Sequence, residues 1–70
     1  MYRISVGSSD LESVGYDAAT DTLEIRFHSN TVYRYLGVPS LVYQGLMAAL
    51  SKGRYFHANI EGHYPCQRIF

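Results

Sequence analysis

The stretch Thr22–Val38, TLEIRFHSNTVYRYLGV, decides the fold. In Thr22–His28 the apolar Leu23, Ile25 and Phe27 alternate with Glu24, Arg26 and His28, the pattern of a half-buried antiparallel strand. Ser29-Asn30 is a reversal, since Asn tolerates the left-handed backbone a tight hairpin needs. Thr31–Val38 is the returning strand. Its centre, Tyr33-Arg34-Tyr35, puts two rings on one face and a guanidinium on the other. Loop length sets which face. A two-residue loop opposes Phe27 to Val32, Ile25 to Arg34 and Leu23 to Leu36 on one face, and Arg26 to Tyr33 and Glu24 to Tyr35 on the other. A three-residue loop slips the register by one and sends both tyrosines to the apolar face, because the side-chain period is 2. Asn30 and the β-branched Thr31 favour the two-residue loop. Both tyrosines are therefore expected on the more polar face, and Arg34 on the apolar side, snorkelling outward near an edge.

Outward from the hairpin the chain reads as a small α+β domain. Before it, Leu11–Asp17 is a strand with Val14 and Tyr16 on one face and Ser13 and Gly15 on the other, closed by an Asp17–Asp21 turn. Met1–Ser9 is extended, and the alternation of Tyr2, Ile4 and Val6 with Arg3 and Ser5 allows a short edge strand. After the hairpin, Gly37-Val38-Pro39 ends the strand and Ser40 is placed to cap a helix over Ser40–Leu50, with Val42, Leu46, Ala49 and Leu50 as its inward stripe. Gly45 weakens that helix or allows a close approach, and Lys52-Gly53 suits its end, a cation followed by a glycine cap. A second short helix is expected over Arg54–Glu61 with Tyr55 or Phe56 and Ile60 inward, then an edge strand in Tyr64–Phe70, where Pro65 is tolerated. The predicted architecture is an antiparallel three-stranded meander, one main helix, a short second helix and a C-terminal edge strand. An Sm-like small barrel is the alternative.

Composition narrows the class. Seventy residues make one domain (1–70) with a thin core. Its seven Tyr and three Phe compensate in part, because each aromatic buries about 150–250 Å². A core this small is one reason to expect self-association. One cysteine, Cys66, leaves no internal disulfide, so a reducing cytoplasm is the expected compartment. The apolar residues after Met1 are broken by Arg3, Ser5 and Gly7, unlike a signal peptide, and no run approaches a membrane span. Net charge is zero but segregated: five acids against Arg3 alone up to Glu24, then five bases against Glu61 alone. That asymmetry fits a dipolar surface that pairs with a second copy, a basic face for an anionic partner, or simply a mixed surface.

Ser13-Val14-Gly15-Tyr16-Asp17, Leu23-Glu24-Ile25-Arg26-Phe27, Val32-Tyr33-Arg34-Tyr35 with Val38-Pro39, and Ser51-Lys52-Gly53-Arg54-Tyr55-Phe56 with Ile60 and Tyr64 stand in order along the chain. In that order and spacing they resemble the KTSC domain family over Asp10–Arg68. The family occurs at the C-terminus of some lysyl-tRNA synthetases and as stand-alone small bacterial proteins, so the resemblance implies a non-catalytic module with RNA as a partner suggested by the synthetase context. Four positions depart from the family pattern: Asn30 for a hairpin Gly, His57 for an Asn, Glu61 for a basic residue and Cys66 for an aromatic. Losing a base and gaining an acid weakens phosphate binding in this member.

The residues themselves point the same way. Tyr33 and Tyr35 are candidates for stacking bases, and Arg26, Lys52, Arg54 and Arg68 for holding phosphates. Against this, tyrosines pack equally well beneath a helix or across a subunit interface, and Tyr55-Phe56 reads as a core plug. Lys52–Phe56 is not an RRM motif, because its aromatics are misplaced and that motif lies on a central strand. His57, His63 and Cys66 lack the paired short spacings of a zinc site. A Cys66–His63 nucleophile pair needs a pocket and an oxyanion hole that so small a chain has little room for. No catalytic residue, metal or cofactor is expected. The leading expectation is RNA binding, and the competing one is a protein-interaction or homo-oligomeric module.

Overall fold

A computed structural model of the chain describes residues 2–70; Met1, part of the expected extended segment, lies outside the described residues. The element order is β1 (Arg3–Ser5), β2 (Leu11–Asp17), β3 (Thr22–Phe27), β4 (Val32–Tyr35), α1 (Ser40–Ala48), α2 (Lys52–Asn59) and β5 (Cys66–Arg68). All five strands form one antiparallel sheet in the order β1-β2-β3-β4-β5. The expected three-stranded meander is therefore its centre, flanked by the two short terminal strands.

The central hairpin takes the three-residue loop, not the two-residue one. Leu23 pairs with Tyr35, Glu24 with Arg34, Ile25 with Tyr33 and Arg26 with Val32. The backbone N–H of Asn30 donates to the Phe27 carbonyl at 2.9 Å, that of Phe27 to the Thr31 carbonyl at 2.9 Å, and Asn30 alone in the loop has positive φ (69°). This is a three-residue loop closed by a left-handed residue. A two-residue loop of the favoured type would need two left-handed residues, and Ser29 does not supply the first. The one-residue slip inverts every face assignment on β4: Tyr33 and Tyr35 turn to the apolar face and Arg34 to the polar one.

A bulge does similar work on β2. Leu11 pairs with Phe27 and Ser13 with Arg26, so Glu12 is the extra residue. Simple alternation sets Leu11 opposite Val14; the bulge rotates it back, and both are fully buried. The core then joins Leu11, Val14, Leu23, Ile25 and Tyr35 from the sheet to Val38, Leu46, Phe56 and Ile60. Phe56 is its hub, edge-on to Phe27 (5.5 Å between centroids) and Tyr35 (5.6 Å).

The helices sit somewhat earlier than their periodicity indicates. Pro39, not Ser40, is the N-cap of α1, with no side-chain cap. The helix stops at Ala48, leaving Leu50 exposed rather than inward. Lys52-Gly53 opens α2 instead of closing α1, because Ser51 caps α2 by accepting from the Arg54 N–H at 3.3 Å. Gly53 is buried there against Asp10, whose carboxylate occupies the space a side chain would need. Gly45 serves close approach: a Cβ on it would run into the Tyr55 hydroxyl and lie 2.7 Å from Cζ.

The sheet curls toward its polar face. Tyr2, beside β1, and Gln67, on β5, line one cleft although they belong to opposite edges. β1 and β5 are not bonded to each other, so the sheet stays open and the Sm-like closed barrel is not formed. Edge strands of three residues each leave little length for the tilt and stagger that closure requires.

Candidate functional site

Because β4 turns its tyrosines toward α2, a groove of about 530 Å³ opens between β4, β5 and that helix. Tyr35 forms its floor and is only 4% exposed. Burial pushes the Tyr35 phenol well above its ordinary value, with the nearby Cys66, Glu61 and Tyr33 adding in the same direction. Tyr33 is half-buried and stands in the wall, 6.0 Å from Phe27 and 6.4 Å from Tyr35 between ring centroids. Its cross-strand partner on β5 is Arg68, so ring and guanidinium share one face at one register position. Arg68 is exposed, and its Nε donates to the Phe70 carbonyl at 3.4 Å. At the helical rim His57 Nδ1 lies 2.7 Å from Glu61 Oε1, an i,i+4 pair. His57 on α2 and Glu61 just past its C-terminal end thus meet each other. The arrangement offers one half-exposed ring and one exposed cation, which together can hold a planar group with an anionic neighbour, while the Glu61 carboxylate at the rim opposes the anion.

Of the six residues singled out for nucleic-acid contact, the groove brings together Tyr33, Tyr35 and Arg68. Arg26 is on the opposite face of the sheet, donating through Nη2 to Asn30 Oδ1 at 2.9 Å. Lys52 Nζ donates to the Ala49 carbonyl at 3.2 Å, beside the Gly7–Ser9 loop. Arg54 is exposed on α2 next to Tyr55. Basic and aromatic residues adjacent in sequence are thus dispersed, because a helix turns successive side chains about 100° apart. Cys66 is exposed and lines the groove with His57, whereas His63 does not. Among the described residues no group of three or more His, Cys, Asp or Glu is placed to hold a metal ion.

The polar face holds what sequence reasoning missed. One row crosses all five strands: Arg3, Gly15, Glu24, Arg34, Gln67. Glu24 is 3% exposed and held from both sides, by Arg3 Nη1 at Oε1 and by Arg34 Nη2 at Oε2, 3.1 Å away. Arg3 reaches Glu24 over β2 because Gly15 has no side chain in the way. The alternation of Arg3, Gly15 and Glu24 in their strands was the available signal, but it becomes a row only once the registers are known.

Fold and groove together define a small α+β fold whose helices cover one sheet face and leave the other to arginines. The chain belongs to the KTSC domain family, whose model matches residues 7–64. It is 43% identical to an uncharacterized protein of Stutzerimonas stutzeri, with 99% of each chain covered. It is also 38% identical over 61 residues to a lysine–tRNA ligase of Trichormus variabilis, a match that takes in 87% of this chain and 11% of the ligase. The crystal structure of a KTSC domain protein from Yersinia pestis superposes with a TM-score of 0.96 at 43% identity, covering 99% of this chain and 97% of that one. Among the described residues no helix is long and apolar enough to cross a membrane.

Proposed function

We propose that this domain is a non-catalytic module that binds single-stranded RNA through the groove between β4, β5 and α2. The observation that carries the reading is the Tyr33–Arg68 cross-strand pair: a half-exposed ring for one base beside an exposed guanidinium for its phosphate. Its context is the alignment of nearly the whole chain with a segment of lysine–tRNA ligases, proteins whose name states that they act on tRNA. The site is smaller than the sequence pattern implied. Tyr35 supports the floor, and Arg26, Lys52 and Arg54 lie outside the groove.

Fluorescence anisotropy with a labelled single-stranded oligonucleotide at low salt tests it. Tyr33→Leu is expected to weaken binding by about 1–3 kcal/mol, the worth of one stacked base. Arg68→Gln is expected to flatten the salt dependence by about one counterion. No binding at low salt, or unchanged binding by Tyr33→Leu, refutes the proposal.

A second reading, self-assembly, is favoured by the apolar side chains at the two open sheet edges: Tyr2 before β1 and Ile4 within it, Ile69 and Phe70 beyond β5. Sedimentation velocity separates the two. A strict monomer at high concentration removes the assembly reading, and a dimer that does not bind RNA removes the first.

A further inference from the structure

We infer that the polar cleft at the β2–β3 turn end of the sheet is a second binding site, for a zwitterion of the amino-acid class, with Arg34 receiving the carboxylate and Asp17 the ammonium. The cleft is open to solvent and offers about 620 Å³, ample for an amino acid. It lies on the other face of the sheet from the aromatic groove and shares no residue with it.

The charged side chains that line it are one base and one acid, Arg34 and Asp17. Among the described residues they make no ion pair with each other. Arg34 shares Glu24 with Arg3, so only part of its charge and one of its terminal nitrogens are committed there. Nε is buried without a partner and Nη2 donates to Glu24, so the donor left for a ligand is the Nη1 end of the guanidinium, which makes no hydrogen bond within the protein. A planar fork with unused donors is the side chain best suited to a carboxylate. Asp17 spends one oxygen on the Ala19 N–H at 3.0 Å and keeps the other. Thr22 on β3 stands between the strands that carry Asp17 and Arg34, Gln67 on β5 lies on the far side of Arg34, and Thr20 and Tyr2 complete the lining. A dianion such as phosphate would satisfy Arg34 but would face Asp17 with like charge. A zwitterion satisfies both.

The test is a ¹⁵N–¹H NMR titration of the full chain with glycine and lysine, against acetate and inorganic phosphate as single-charge probes. The amino acids are expected to produce saturable shifts at Thr20, Thr22 and Gln67 with a dissociation constant in the low millimolar range, about tenfold tighter than acetate. Asp17→Asn keeps the carbonyl oxygen that holds Ala19, so the turn is preserved. It is expected to bring amino-acid affinity down to that of acetate without changing acetate binding. Arg34→Met is expected to abolish both, with far-UV circular dichroism as its fold control. Absence of saturable shifts with either amino acid overturns the proposal. So does phosphate binding as tightly as glycine, or amino-acid binding indifferent to Asp17→Asn.

Discussion

Replacing Glu24 by Gln tests the polar face most directly. The Glu24 side chain is 5% exposed and accepts from two guanidinium groups, those of Arg3 and Arg34, which are 26% and 41% exposed. A charge-assisted hydrogen bond contributes about 1.5–3 kcal/mol when shielded from water. Partial exposure of both arginines screens the pairs, so roughly half of that is the better figure for each. The substituted amide would retain one acceptor for one arginine and present an N–H₂ to the other. The expected loss is therefore about 1.5–3 kcal/mol. A domain of 70 residues has a total stability of roughly 4–10 kcal/mol, so this is a large fraction. With a urea slope near 1 kcal/mol/M, the midpoint should fall by about 2 M. Arg3→Met should cost about 1 kcal/mol and free β1, whose edge Arg3 ties to β3. The Arg3→Met/Glu24→Gln pair should show a coupling of about 1 kcal/mol. A loss below about 0.5 kcal/mol for Glu24→Gln, or additivity within about 0.3 kcal/mol, would refute the clamp, since additivity is the behaviour of independent sites.

Other perturbations address the core and its ionisation. Gly45→Ala gains helix propensity but drives a methyl into Tyr55; a net loss of about 1–2 kcal/mol is expected, and adding Tyr55→Leu should more than recover it in thermal melts. Phe56→Ala removes the ring that Phe27 and Tyr35 pack against, and a cost of about 3–5 kcal/mol should leave the domain largely unfolded by circular dichroism at 37 °C. Burial, with acidic neighbours, raises the phenols of both Tyr16 and Tyr35 above their ordinary value near 10. Below that pH both folded and unfolded chains hold these protons and stability is level. Above it the unfolded chain ionises first, so stability should fall, by up to about 1.4 kcal/mol per pH unit for the buried Tyr35. Tyr35→Phe should remove its share of that slope in urea titrations above pH 10; an unchanged slope would show that Tyr35 is not protected.

Much of the fold was legible in local chemistry. The alternation of Leu23, Ile25 and Phe27 marked β3, the Asp17–Asp21 run marked its turn, and Ile60 fell inward as expected, with Phe56 rather than Tyr55 as its fully buried aromatic partner. The short motifs from Ser13 to Tyr64 carried the family, which the match over residues 7–64 bears out. Helix ends were less legible, because Ser51 is an acceptable cap whether or not the preceding helix is extended to Leu50. The packing of Gly53 against Asp10 settles the choice and involves residues 43 positions apart.

The candidate sites were the least legible part. For this chain the sequence alone determined which segments are strands and helices, since periodicity, caps and turn residues act over a few neighbours. Only the tertiary structure decided what those segments present. One additional loop residue before Thr31 moved Tyr33 and Tyr35 from the polar face to the groove and Arg34 from the core side to Glu24, because side chains alternate with period 2 and parity has no intermediate value. The row from Arg3 to Gln67, and the cleft that brings Tyr2 and Gln67 together, depend on four strand registers and the curl of the whole sheet, none of which any single segment encodes.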